Sequence, residues 1–334
     1  MYSHDPFLNN PIFVKKVLKL PLIGPSFNIF FHFLLPLAYF RDRLQTVFFP
    51  SFMLPAFFLG KSLVVLTNDV HYEYTQGQLP FKYRLAYRFF ANWAAWRATK
   101  ITSYSQSAKD ELVKLFKIKP ERISVNCLGI KLQGCPVQQG SPVIAPYLIY
   151  VGQTFPRRRV KETIQAFAII ASKYQDLKLV LVGQDKYNPP ILEKLVKKTN
   201  QKVGSERLIY YSYIDSDQEL YQLMAGAKLL IYLSSSEAFG LPPLEALALG
   251  VPPVVKNNAL NRELYGENAF FVENEKDPAA IALVLEKALN DSVRQQKIIN
   301  NSEKIVSKFN WTNHMKKFLE TIRQIVNAKD SRGI

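Results

Sequence analysis

Ser234-Ser235-Ser236-Glu237-Ala238-Phe239-Gly240-Leu241-Pro242-Pro243-Leu244-Glu245 is the stretch around which the rest of the chain can be organised. The apolar run Leu229 to Leu233 precedes it and reads as a buried strand. Pro242-Pro243 opens a helix, because proline is tolerated in the first helical turn, and Gly250 closes it. Glu237 therefore lies at the carboxyl end of a strand and Glu245 in the first turn of the helix that follows, with seven residues between them. Between them the amides of Phe239, Gly240 and Leu241 are expected to point out of a helix N-terminus, which attracts anions. Two carboxylates able to hold vicinal hydroxyls, placed on either side of such a cradle, suit a nucleotide-sugar.

Outward from this stretch the chain alternates apolar strands with amphipathic helices. Strands are expected at Tyr147 to Val151, Leu177 to Val182, Arg207 to Tyr211, Lys228 to Leu233, Val251 to Val255 and Ala269 to Val272. Helices fill the intervals at Lys161 to Ser172, Pro189 to Thr199 and Asp217 to Ala225. This pattern means an α/β fold with a parallel sheet covered on both faces, and ligands then bind beyond the carboxyl ends of the strands. Gly152, Gly183 and Glu237 all fall at such ends.

The first part of the chain is less regular. Thr46 to Phe49, Ser62 to Thr67 and Ile123 to Asn126 read as strands; Phe81 to Thr99 and Ala108 to Phe116 read as helices. The Gly-, Pro-, Gln- and Ser-rich segment from Leu128 to Pro146 reads as a linker. We expect an N-terminal Rossmann-like domain over 1–135, a second over 136–310, and a terminal helix over 311–334 that packs back toward the first.

Net charge is +16, which favours anionic partners. Two cysteines, Cys127 and Cys135, make neither a disulfide framework nor a metal cluster, in keeping with a reducing cytoplasm. No secretory signal stands at the N-terminus, and the apolar stretch Phe27 to Phe40 is too short to span a bilayer and contains Pro36. The basic residues are spread along the chain with no nucleic-acid motif, so nucleic acid is not an expected partner.

Further motifs fall in a fixed order: Tyr150-Val151-Gly152-Gln153-Thr154-Phe155-Pro156-Arg157-Arg158-Arg159, Val180-Leu181-Val182-Gly183, the stretch Ser234 to Gly250, Pro252-Pro253-Val254-Val255, Arg262-Glu263-Leu264 and Phe309-Asn310-Trp311. The ordered set resembles the retaining glycosyltransferases of family 4, the glycosyl transferases of group 1, and in particular their polysaccharide-assembly mannosyltransferases. The resemblance implies the GT-B fold of two facing Rossmann-like domains. It also implies transfer of a hexose, plausibly mannose, from a GDP- or UDP-sugar, with no further cofactor and no metal. Glu237 would bind hydroxyls of the transferred sugar and Glu245 those of the ribose. Phe239, Gly240 and Leu241 would hold the diphosphate with Gly152, Arg157, Arg158 and Arg159, and Arg158 would neutralise the leaving group. Tyr213 and Ile214 would lie against the base. Asp69, with Asn68 where the family has histidine and His71 two residues on, would serve the active site from the first domain. Ser103-Tyr104-Ser105-Gln106-Ser107 matches the family's serine-containing turn.

The family's first strand and glycine-rich loop have no counterpart before Thr46, so the first domain is expected to be incomplete. A truncated, inactive nucleotide-sugar- or membrane-binding protein, and a GT-B nucleotide-sugar epimerase, remain alternative readings. The acceptor would be a glycan or a polyprenyl-linked saccharide. The segment Phe81 to Arg97 interleaves cations with aromatic residues, as a helix lying in a membrane interface does. With the charge and the Phe27 to Phe40 stretch, it implies peripheral work on an anionic inner membrane face.

Overall fold

The computed structural model describes residues 27–76, 80–131, 143 and 146–328. The glycine-rich linker lies almost entirely outside these residues. The described residues begin with α1 (Phe27–Ile29), a π-helical turn (Phe30–Leu34) and α2 (Leu35–Arg41). Then follow β1 (Val47–Phe49), β2 (Ser62–Val65), α3 (Asp69–Thr75), α4 (Phe81–Arg97), β3 (Lys100–Ser103), α5 (Gln106–Phe116) and β4 (Ile123–Val125). The four strands form one parallel sheet in the order β1-β2-β3-β4.

The second half continues with β5 (Tyr147–Val151), α6 (Val160–Ile170), β6 (Lys178–Val182), α7 (Leu192–Val203), β7 (Leu208–Tyr211), α8 (Asp217–Ala225) and β8 (Leu229–Tyr232). It ends with α9 (Leu241–Ala248), β9 (Pro253–Lys256), α10 (Ala259–Tyr265), β10 (Phe270–Val272), α11 (Pro278–Asn290), α12 (Ser292–Val306) and α13 (Trp311–Asn327). Its six strands are all parallel, in the order β10-β9-β8-β5-β6-β7. The apolar runs decide this arrangement. All five residues of β5 and all four of β8 are buried, as strands covered by helices on both faces must be. Helix α6 buries Val160, Ile164, Phe167 and Ile170 at helical spacing against that sheet.

The strand order reverses between β5 and its neighbours β6 and β8. A parallel sheet opens a crevice beyond its carboxyl ends at such a point. Gly152 follows β5 there, and Glu237 follows β8. Helix α13 lies against the first sheet: Phe318 meets Phe48 edge-on at 4.9 Å, the Ser124 and Thr321 hydroxyls lie 3.1 Å apart, and Lys61 Nζ donates to the carbonyls of Val326 and Ala328 at 3.1 and 2.7 Å. No helix among the described residues is long and apolar enough to cross a membrane.

The strands read from the sequence all form. Strand β3 and helices α3 and α10 are elements that the sequence reading did not include; in α3 none of the residues is fully buried. Polar contacts from α3 reach the second sheet.

Candidate functional site

The three consecutive arginines leave a 3-10 turn (Pro156–Arg158) after β5 in three directions. Arg158 turns to Glu237. Its Nε donates to Oε1 at 2.7 Å and its Nη2 to Oε2 at 3.4 Å, while Tyr232 OH donates to the same Oε1 at 3.0 Å. Arg158 Nη1 donates to the Gln153 carbonyl at 2.8 Å. The guanidinium lies 5.3 Å over the Tyr232 ring, which stacks on Tyr150 at 5.9 Å. Burial pushes the Glu237 carboxyl up, but Arg158, Arg157 and the Tyr232 hydroxyl outweigh it and hold it below the usual range. The cation and the carboxylate expected to meet the donor therefore neutralise each other in this structure.

Backbone geometry makes room for this couple. Gly152 (φ 133°) would place a Cβ 3.1 Å from Arg158 Nη1, and at Gly183 (φ 140°) a Cβ would stand 2.0 Å from the Gly152 carbonyl oxygen. Only glycine lets the ends of β5 and β6 close this tightly. Gly240 (φ 87°) is the N-cap of α9 and supplies no side-chain cap. Pro242 and Pro243 contribute no N–H, so the anion cradle narrows to the amides of Phe239, Gly240 and Leu241. Glu245 is the fifth residue of α9, which places it at the start of the second turn instead of in the first. Burial, and then Asp217, raise its carboxyl, and Lys131 acts against them. Tyr213 is exposed, whereas Ile214 packs on the core of the second sheet.

Arg157 turns the other way. Its Nε donates to the Ser236 carbonyl at 3.1 Å, and its guanidinium pairs with Glu73 and, at 3.6 Å, with Asp69, both on α3 beside the first sheet. Arg157 is therefore committed to joining the two sheets, which the phosphate role expected for all three arginines did not include. Arg159 has a left-handed backbone (φ 54°). It reaches Ser235 Oγ at 3.0 Å, Glu162 at 3.6 Å and Tyr72 OH at 3.4 Å.

Asp69 faces this cluster, and His71 does not. Two residues along a helix turn a side chain by about 200°. The imidazole accordingly sits among the rings of Tyr74, Tyr87 and Phe116, at 5.8 to 6.1 Å. Asn68 is likewise engaged elsewhere, its Nδ2 donating to Glu111 at 2.7 Å. The expectation that His71 compensates for the family's histidine is thus corrected by the helical phase of α3.

A second polar junction lies at the N-terminus of α5. Ser105 caps that helix by accepting from the Ala108 amide at 3.0 Å, and its Oγ donates to the Ala238 carbonyl at 3.3 Å. The amides of Gln106 and Ser107 donate to the Glu263 carboxylate of α10 at 2.8 and 2.7 Å. A helix N-terminus beside the first sheet is thus closed by an acid from the second. Sequence reasoning missed Glu73, Tyr72 and Tyr232 as site neighbours. The spacing of Asp69 and Glu73, one turn apart in a segment without apolar periodicity, was the signal available for the first of them.

Set against known proteins, the geometry has clear relatives. The family model for glycosyl transferases group 1 matches residues 136–305, about half of the chain. The chain belongs to this family. Among curated proteins, this chain is 27% identical over 208 residues to the O-antigen chain mannosyltransferase B of Escherichia coli, covering 59% of this chain and 54% of that protein. It is 26% identical over 240 residues to the capsular polysaccharide biosynthesis glycosyltransferase CapM of Staphylococcus aureus, covering 68% and 61%. The chain thus spans little more than half the length of these curated relatives. The fold is that of a solved glycosyltransferase from Rickettsia africae (TM-score 0.67, 16% identity, 93% of this chain and 85% of that one). With its two parallel α/β units, this is the GT-B architecture.

Proposed function

We propose that this glycosyltransferase is a retaining, metal-independent hexosyltransferase that moves mannose from a nucleoside-diphosphate donor to a growing glycan or polyprenyl-linked saccharide, at the inner face of the cytoplasmic membrane. One observation carries the reading: a half-buried Arg158–Glu237 couple stands beside the α9 N-terminus at the point where the strand order reverses. The couple supplies what glycosyl transfer needs, a fixed cation for the departing diphosphate and a carboxylate for sugar hydroxyls. Donor entry exchanges partners: the diphosphate takes Arg158 and the hexose hydroxyls take Glu237. Phe239, Gly240 and Leu241 amides share the diphosphate charge, and Glu245 receives the ribose hydroxyls.

In the transfer step, the bond from the anomeric carbon to the diphosphate oxygen breaks. The acceptor oxygen bonds to the same face, and its proton passes to the diphosphate oxygen. The mannose assignment is supported by similarity to the Escherichia coli O-antigen chain mannosyltransferase B. Calorimetry with GDP-mannose, UDP-glucose, UDP-N-acetylglucosamine and ADP-glucose tests the donor site, with Glu245→Ala as control. Binding of GDP-mannose that the substitution abolishes supports the reading; binding of a different donor overturns the mannose assignment. Failure of all four to bind overturns the donor site. Product formed from the donor without an acceptor would replace transfer by epimerisation.

A further inference from the structure

The first sheet carries a surface that the transfer reaction does not use. Helix α4 buries Tyr87, Ala91, Ala94 and Ala95 on one side. On the other side, Phe81, Leu85, Phe89 and Trp96 fall at spacings of four, four and seven residues, which makes one continuous outward stripe. All four are more than half exposed, and Trp96 is 71% exposed. Leu85, Phe89, Trp93 and Trp96 line an open groove of about 570 Å³.

Two more segments extend the stripe. Phe33, Leu37 and Phe40 of the opening helical segment are more than half exposed, as are Phe57 and Leu59 of the loop after β1. The three segments are locked side by side. Phe33 meets Phe57 at 5.1 Å, His32 stacks on Phe90 at 5.6 Å, Trp93 Nε1 donates to the Pro55 carbonyl at 3.1 Å, and Arg97 donates to the Leu59 carbonyl. An apolar patch of this extent marks an interaction site.

Its charges select the partner. Between Phe27 and Asn68 the one acid is Asp42, and it pairs with Arg41. Between Gln76 and Lys109 there is no acid, while Lys82, Arg84, Arg88 and Arg97 all lie on α4. Aromatic side chains at headgroup depth with a cationic rim and almost no acid match an anionic lipid surface.

We propose that α4, the opening helical segment and the loop after β1 together form the face by which this protein docks on an anionic bilayer. The inference rests on the reading of a membrane-linked acceptor, and its test is independent of the donor site. Co-sedimentation with phosphatidylglycerol–phosphatidylcholine vesicles is compared with pure phosphatidylcholine vesicles, for the full chain, for Phe89→Ser/Trp96→Ser, for Arg84→Glu/Arg88→Glu and for Phe57→Ser. The wild type should bind the anionic vesicles about tenfold or more tightly than the neutral ones, and salt should weaken this binding. Each reversed charge should cost several-fold, and the aromatic double variant about tenfold. An unchanged thermal unfolding midpoint shows that the variants fold. Absence of wild-type binding to the anionic vesicles overturns the proposal, as does equal binding by all the variants. A wild-type dimer that the variants disperse, without vesicle binding, assigns the face to a second copy of this chain and overturns it too.

Discussion

The second sheet and the first face each other across the Arg157 junction but are built on different principles. On the β5–β8 side, the backbone is fixed by fully buried apolar strands, and the functional groups project from their ends: Gly152, Arg158, Glu237 and the α9 N-terminus. On the first-sheet side, the contacting helix α3 has no fully buried residue: Val70 and Tyr74 rest on the edge of the first core, and Asp69 and Glu73 tie it by charge to Arg157. The difference teaches where rigidity resides. Donor-side groups sit on a scaffold of fully buried strands, whereas the opposite wall combines half-buried packing of Val70 and Tyr74 with ion pairs.

The largest break of this contrast is removal of one member of the half-buried couple. Glu237→Ala leaves Arg158 without its carboxylate partner, and stability should fall by about 2–3 kcal/mol in denaturant unfolding, since a largely desolvated charge is left unpaired. Arg158→Ala should do the same, and transfer should fall by roughly 10²–10³ in kcat through loss of leaving-group stabilisation. Arg157→Gln should also destabilise strongly, by about 3 kcal/mol, because it abandons two carboxylates. Here the effect should be read in the separation of the two units, as an increased radius of gyration in scattering, with donor affinity nearly unchanged. If donor affinity collapses instead, Arg157 belongs to the donor wall and the contrast fails.

Glu245→Gln sharpens the comparison within the second sheet. Donor affinity should drop by about tenfold to a hundredfold, the worth of hydrogen bonds to a charged group. Stability should stay level or rise slightly, because burial already works against the ionised carboxyl.

The pH profile should carry both signs. Glu237 sits below the ordinary value of 4.5 when folded, so its ionised form stabilises the fold above that pH. That contribution is lost as pH falls through the lower folded value. Glu73 and Glu245 are raised, first by burial, so their ionisation costs stability as pH rises from 4.5 through their higher folded values. Thermal unfolding across the acid range should show Glu237→Gln flattening the loss on the acid side, and Glu245→Gln removing part of the decline above pH 4.5. The smallest effect is expected at His71. His71→Phe exchanges one ring for another among Tyr74, Tyr87 and Phe116, and activity should change by less than about threefold.

What the sequence determined by itself was the strand content of the second sheet, three of the four described strands of the first, the helix after Glu237 and the family; β3 (Lys100–Ser103) was not read. The reason is that buried parallel strands and proline-opened helices write their signals locally, in runs of neighbouring residues. The direction of each arginine in Arg157-Arg158-Arg159 was not legible, because three like side chains in a row become distinct only when a turn aims them at different partners. The same holds for His71, where the phase of a short, unburied helix decides between the junction and an aromatic cluster. Tertiary structure alone set Glu263 on the N-terminus of α5 and gathered Phe33, Phe57 and Trp96 onto one face. These placements join residues that are far apart in the chain, and their energies exist only once the two sheets and their helices have packed.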